Sequence, residues 1–335
     1  MPPVITILIP VYNDAQSATL LLEQLDRIAP RLPATLHVLF VDDGSLPSEL
    51  AELPGPTVAI PTVEVLRLRR NLGHQRAIAI GLAAVAAGPQ PDYVVVMDGD
   101  GEDDPATLPT LVQAALEGDG HTAIFAQRLK RHEGIGFLAG YRLFRMLHRL
   151  LVGADIGFGN FSCLPASLLD RITGITEIWN HYAAGVVHAR IPIRLVPIAR
   201  GQRLAGRSKM NLPALVMHGI CALSVWSDVI VARLFLVVAG MLAVTFGLLV
   251  AVVAGRLATG ALVPGWATGL VGILVVVVLL LGIICMLMAL FVLGSRTATN
   301  FLPHRDWRDY VLPGSVGALP AQQCRPFPVQ TATGG

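Results

Sequence analysis

Short apolar runs of strand character alternate with helical repeats through the first part of the chain, and two long unbroken apolar runs follow. Strand patterns fall at residues 4–10, 36–41, 63–68, 93–97 and 122–126, and helical patterns at 17–28, 73–87 and 106–117. Such alternation predicts an α/β domain, with a mostly parallel sheet and helices on both faces.

The long runs, 234–255 and 267–293, carry no charged residue. At about 1.5 Å per residue the shorter one just crosses a hydrocarbon core of roughly 30 Å. A core helix of a soluble protein rarely stays apolar all round for this length, so two transmembrane helices are expected, joined by the turn at 256–266 as a helical hairpin. Arg194, Arg200, Arg203, Arg207, Lys209 and Arg233 precede the first run, Arg296, Arg305 and Arg308 follow the second, and the turn holds only Arg256. By the positive-inside rule, the α/β domain and both termini of an integral membrane protein so arranged are expected to face the cytosol, most naturally at a bacterial cytoplasmic membrane. The N-terminus has no basic segment leading into an apolar one, so no cleaved signal is expected. Two further segments, 136–152 and 210–226, are candidates for helices lying on the membrane surface; in the first, Arg142, Arg145, His148 and Arg149 oppose an apolar face. The expected organisation is a cytosolic domain over 1–210, a juxtamembrane segment over 211–228, two membrane helices within 229–293, and a cytosolic, partly disordered tail over 294–335.

Composition agrees with this division, since 53% of the 335 residues are hydrophobic and only 14% charged. A net charge of +2 is too small for a nucleic-acid partner. Cys163, Cys221, Cys285 and Cys324 form no C-x-x-C pair and are read as reduced structural residues. Gly240, Gly247, Gly269 and Gly272 in the apolar runs would allow the hairpin to pack on copies of itself as a homo-oligomer.

Polar side chains recur directly after the strands: Tyr12, Asn13 and Asp14, then Asp42 and Asp43, then Arg70 and Asn71, then Asp98, Asp100, Glu102 and Asp103. In an open α/β sheet those positions line one ligand crevice. Within Asp98-Gly99-Asp100-Gly101-Glu102-Asp103-Asp104, carboxylates two residues apart suit a hard divalent cation, Mg²⁺ or Mn²⁺, which completes its shell with water and substrate phosphates. An EF-hand calcium loop would need Gly where Asp103 stands, and an acidic turn without a ligand is the plainer alternative. The Asp-Gly-Ser of 43–45 is also a common turn and helix cap. Glu177-Ile178-Trp179-Asn180-His181-Tyr182 offers a stacking indole and an imidazole, although aromatic packing is the simpler reading.

Together, Pro10-Val11-Tyr12-Asn13-Asp14, Val41-Asp42-Asp43-Gly44-Ser45, Arg70-Asn71-Leu72-Gly73 and Asp98-Gly99-Asp100 resemble the family 2 glycosyltransferases of the Rossmann-like GT-A fold. Within that family the chain resembles dolichyl- and polyprenyl-phosphate sugar transferases, with Gly206-Arg207-Ser208-Lys209-Met210 matching their Gly-x-Ser-Lys-Tyr. The resemblance spans residues 4–210. It implies a nucleotide-sugar donor, such as a UDP- or GDP-sugar, held by Pro10, Tyr12, Asp14, Asp42, Asn71 and Asp98. It further implies a metal on Asp100 and Glu102, with Arg128 near the sugar phosphate. Arg203, Arg207, Ser208 and Lys209 would take a phosphate of the donor or of a lipid-phosphate acceptor. Glu102 replaces the family's Gln, Met210 its Tyr, and Gly159-Asn160-Phe161-Ser162 its Gly-Asp-Phe-Arg. No Gln-x-x-Arg-Trp of processive synthases is present, so a single transfer is expected over chain polymerisation. The resemblance further implies that it inverts and that the acceptor is polyprenyl phosphate, an ionised group that needs no general base. A hydroxyl-bearing lipid acceptor would instead require a general base, for which Asp103 is the candidate. A non-catalytic scaffold keeping a nucleotide pocket is the remaining alternative.

Overall fold

The structure, a computed structural model, describes residues 2–128, 146, 149–153, 157–205, 212–259, 266–297 and 301–314. The chain divides into two compact units, one of Met1–Arg131, Gly157–Lys209 and Phe301–Gly335, the other of His132–Ile156 and Met210–Asn300.

The first unit is built on seven strands: β1 (Val4–Val11), β2 (Thr35–Asp42), β3 (Thr62–Arg67), β4 (Tyr93–Val96), β5 (Ala123–Arg128), β6 (Ser162–Pro165) and β7 (Ile193–Ile198). Their spatial order is β3-β2-β1-β4-β6-β5-β7. The first four are parallel, β6 runs antiparallel to both β4 and β5, and β7 is parallel to β5. The helices are α1 (Ala15–Ile28), α2 (Pro47–Ala51), α3 (His74–Ala87), α4 (Leu108–Leu116), α5 (Leu169–Thr173), α6 (Tyr182–His188) and, near the C-terminus, a short turn (Pro303–Asp306).

Alternation along the strands separates two apolar layers. Ile5, Ile7 and Ile9 of β1 meet Leu21, Leu22 and Leu25 of α1 and Leu111 and Val112 of α4. Leu8 points to the other face, where Ala77, Ile78 and Ala83 of α3 pack with Tyr182 and Val186 of α6. Each of the fully buried large side chains contributes about 2 kcal/mol. A sheet covered on both faces has only its strand ends left to bind a ligand. The strands and helices expected from the sequence are present with boundary shifts of a few residues; 106–117 resolves into a 3₁₀ turn, Pro105–Thr107, followed by α4.

After the second long helix the chain returns to the first unit. Trp307 and Val311 enter its core, and Leu68 and Val311 form an antiparallel bridge beside β3. The sequence pattern alone assigns these residues to a tail, because a lone tryptophan among polar neighbours has no visible period.

The second unit holds α7 (Leu212–Ser224), α8 (Ser227–Thr259) and α9 (Trp266–Thr297). The last two pack together and contain stretches, Ser227–Gly255 and Gly269–Phe291, long and apolar enough to cross a membrane. Leu236, Val244, Phe246, Leu279 and Phe291 are exposed along them, more apolar surface than water tolerates on a monomer. The four glycines singled out above have open space beside them. The first long helix runs on through Thr259 into the segment expected as the connecting turn, and most of 136–152, residues 260–265 and the tail beyond 314 lie outside the described residues.

Candidate active site

Parallel β1 to β4 bring their carboxyl ends to one edge of the first unit, and three loops interlock there. The Asn13 backbone, left-handed at φ 47°, donates its N–H to Ser45 Oγ at 2.8 Å, while Asn13 Oδ1 accepts from Leu46 N at 2.9 Å. Asp42 accepts from Ser45 N at 3.0 Å. Asp43, 3% exposed, accepts from Leu72 N at 2.7 Å and from Gly73 N at 2.8 Å. Burial pushes the Asp43 carboxyl up to about 6, against those two bonds and the attraction of Arg76. Gly44, at φ +76°, lies so near the Arg70–Asn71 backbone that a Cβ would stand 2.7 Å from Arg70 C and Asn71 N. Tyr12 and Asn71 present exposed side chains at this edge, and Asp14 heads α1 without spending its carboxylate on a capping bond. Pro10 lies half-buried near the end of β1, its carbonyl oxygen 3.1 Å from where a Cβ on Gly99 would stand.

The loop after β4 is folded by its own carboxylates. Asp103, 1% exposed, accepts from Asp98 N at 2.9 Å, and Asp100 accepts from Glu102 N at 2.9 Å. A second segment lies on it: Gly201 N donates to Glu102 O and Leu204 N to Asp100 O, each at 3.0 Å. A Cβ on Gly201 would collide with Gly101 O, so only glycine lets the two backbones meet. The result sets Arg203 Nη2 2.6 Å from Asp100 and Arg200 Nη2 2.6 Å from Glu102. Arg200 offsets the extra charge that Glu102 brings to the loop. Asp100 and Glu102 supply hard oxygens on one short loop, a donor set that fits a divalent cation taking its other ligands from water and phosphate. Among the described residues no three His, Cys, Asp or Glu side chains are gathered around one point.

A buried polar array that the sequence did not reveal belongs to the same unit. Gln75 Oε1 accepts from Tyr182 N at 2.6 Å and its Nε2 donates to Asn160 Oδ1 at 3.1 Å. Ser162 pairs with Tyr182 Oη at 2.7 Å, and burial raises the Tyr182 hydroxyl above the ordinary tyrosine range. Asn160 is thereby bound into the fold. His181 Nδ1 caps α6 by accepting from Ala184 N, and Trp179 stacks among aromatic rings, so Glu177–Trp179 and its neighbours pack as the simpler reading expected. Arg128 ends β5. Arg207, Ser208 and Lys209 lie outside the described residues. Gln75 and Gly201 were not assigned roles from the sequence; Asp43 was placed only as one of the strand-end residues lining the crevice, and Arg200 only as a basic residue before the first apolar run.

Residues 6–163 match the family model described as glycosyl transferase family 2. Over 287 residues the chain is 28% identical to an undecaprenyl-phosphate 4-deoxy-4-formamido-L-arabinose transferase of Klebsiella pneumoniae, covering 79% of this chain and 80% of the relative. It is also 28% identical over 228 residues to an uncharacterized glycosyltransferase of Bacillus subtilis, covering 65% and 68%. Among solved structures, mannosyl-3-phosphoglycerate synthase from Rubrobacter xylanophilus superposes with a TM-score of 0.50 at 16% identity, over 68% of this chain and 73% of that one. That last likeness speaks to the fold alone.

Proposed function

This chain is a family 2 glycosyltransferase, and on that premise we propose that it moves one sugar from a nucleoside-diphosphate donor to a polyprenyl phosphate in the membrane. The observation that carries the reading is the meeting of Asp100 and Glu102 with Arg203 and Arg200 at the same strand-end edge as the interlocked loops. Support for the acceptor comes from the relative named for undecaprenyl phosphate and from two helices apolar enough to hold the protein at a bilayer. The positive residues flanking those helices favour a cytosolic catalytic unit.

In this mechanism the loops around Asn13, Asp42, Asp43 and Asn71 hold the nucleotide, and Asp98 contacts its ribose or diphosphate. A phosphate oxygen of the lipid attacks the anomeric carbon from the face opposite the diphosphate. The new carbon–oxygen bond forms as the bond to the diphosphate breaks, with inversion, and the nucleoside diphosphate leaves. Asp100 and Glu102 would hold Mg²⁺ or Mn²⁺, which supplies charge neutralisation for the leaving diphosphate. Arg203, freed from Asp100, and the Arg207–Lys209 stretch would bind phosphate by charge-assisted bonds, with Arg128 near the sugar phosphate. A phosphate with a second pKa of about 6 is already largely ionised near neutrality and needs no general base. The placement of Asp103 agrees, since its buried carboxylate accepts from the Asp98 backbone and organises the loop. A hydroxyl lipid would ask that same group to leave its partner.

The test is transfer of label from a panel of radiolabelled UDP- and GDP-sugars to polyprenyl phosphate by the detergent-solubilised protein with Mn²⁺ or Mg²⁺. Label entering the organic phase with the native chain, and not with Asp100→Ala, is the expected result. Donor hydrolysis without lipid product would sink the acceptor assignment and leave the transferase.

A further inference from the structure

Residues 301–312 come soon after the second long apolar helix, yet they are fastened to the edge of the sheet that carries the donor loops. Arg69 N donates to Tyr310 O at 2.8 Å, Leu312 N to Arg67 O at 2.9 Å, and Arg69 Nε to Val311 O at 3.1 Å. These bonds, with the Leu68–Val311 bridge, lie against the carboxyl end of β3, which stands at the edge of the sheet. Beside them Phe301 and Tyr310 meet at 5.2 Å edge to face, and Trp179 packs on both, at 3.7 Å and 5.3 Å between ring centroids. The Arg76 guanidinium lies 5.0 Å over the Trp179 ring, and Arg76 is the cation that attracts Asp43.

The Arg70–Gly73 loop is therefore held from two sides. Asp43 and Gly44 pin it from within, through Leu72 N, Gly73 N and the Arg70 backbone. Residues 310–312 pin its other end, through Arg67 and Arg69, while the aromatic cluster holds the Arg76 guanidinium on the helix that follows the loop. We propose that residues 301–312 form a positioning strap for the donor site, so that the chain beyond the membrane helices is required for nucleotide binding. The inference rests on the reading of the Asn71 loop as part of that site. Covering an edge strand would need only backbone bonds; the Arg69 side chain on Val311 O, next to the loop, and the aromatic cluster under Arg76, just after it, give the strap a line to the loop itself.

Full-length protein in detergent, with Tyr310→Ala, Tyr310→Phe and Leu312→Pro, separates the possibilities. Leu312→Pro deletes the N–H that bonds Arg67 O, Tyr310→Ala removes the ring, and Tyr310→Phe keeps the ring. Two readouts are taken: calorimetric titration with UDP and with GDP in the presence of Mn²⁺, and amide hydrogen exchange at Leu72 and Gly73. Tyr310→Ala and Leu312→Pro are expected to weaken nucleotide binding at least about tenfold and to speed exchange at both amides, with Tyr310→Phe near the native chain. Unchanged affinity and unchanged exchange in both variants would overturn the strap, even if melting temperature falls. A native chain that binds neither nucleotide would overturn the donor reading instead, while faster exchange in the variants would still uphold the mechanical link.

Discussion

The two halves of the strand-end crevice are fastened by different means. After β1, β2 and β3, side-chain oxygens of Asn13, Asp42 and Asp43 bond backbone N–H groups, and Gly44 lies against the Arg70–Asn71 backbone. After β4, the outer contacts are ion pairs between side chains, Asp100 with Arg203 and Glu102 with Arg200, on carboxylates still partly open to water. Backbone bonds to buried carboxylates cost about 1–3 kcal/mol each to lose, whereas partly exposed ion pairs are worth about 1 kcal/mol or less. The first half is thus a preformed socket. In the second, an arriving cation or phosphate can replace one partner of each pair at little cost, which suits the place where charge changes during transfer.

The largest effect should come from the carboxylate that belongs to the exchangeable half and also faces the chemistry. Asp100→Ala removes the oxygen proposed to hold the cation and the partner of Arg203, and transfer should fall by about a thousandfold, the scale of losing a principal electrostatic group. Melting temperature should change little. Steady-state transfer beside calorimetry checks both, and a variant that unfolds instead would place Asp100 with the socket.

Asp43→Asn should come next and should behave in the opposite manner. Asparagine offers one oxygen to two N–H groups, leaving one buried donor unmet at about 1–3 kcal/mol. Donor affinity is expected to fall about ten- to hundredfold, and thermal stability should fall with it. Asp43 also has a pH signature. Its folded-state pKa of about 6 lies above the ordinary 3.8, so the folded chain binds more protons between those values. Its contribution to stability therefore declines as pH rises from about 4 to 6 and is level above that. Melting temperature followed across this window should show the decline in the native chain and lose that component in Asp43→Asn.

The same contrast explains what could be read from the sequence. Buried strands such as Tyr93–Val96 announce themselves by β-branched apolar runs, and acidic residues placed after them announce a crevice. Asp98, Asp100 and Glu102 could be singled out as candidates because the chemistry proposed for them resides in side chains close together in sequence. The strap was not, since Tyr310 and Val311 bond through carbonyl oxygens that every residue has, and Arg69 and Val311 stand 242 positions apart. Gln75 escaped notice for a related reason, because an amide inside an apolar helix acquires its meaning only when Tyr182 and Asn160 arrive from elsewhere. Gly201 likewise reads as a loop glycine until Gly101 is found against it.

Gly201→Ala joins the two halves in one experiment. The new methyl group would press on Gly101 O and on Asp104, lifting the Arg200–Leu204 segment from the loop. Arg203 would lose its register with Asp100 while every charged residue remained. Transfer should drop by about tenfold, since small misplacements at a reacting centre are costly. Nucleotide binding, to which the other half also contributes, should fall less than turnover. Equal losses in binding and turnover would mean that the halves are mechanically one.

Arg200→Ala should have the smallest effect, and for that reason it probes the comparison most finely. Arg200 and Glu102 are 2.6 Å apart, but their side chains are 32% and 24% exposed, so water and salt share the charge. Removing the guanidinium should change stability by less than about 1 kcal/mol, and added salt should shrink even that difference. Glu102 then stands without its 2.6 Å partner beside Asp100, and the loop should bind Mn²⁺ severalfold more tightly, measured by electron paramagnetic resonance of the free ion. The two readouts should move apart, with the fold indifferent and the cation better held. A large loss of stability would put this pair on the same footing as Asp43, and the division between socket and exchangeable half would no longer stand.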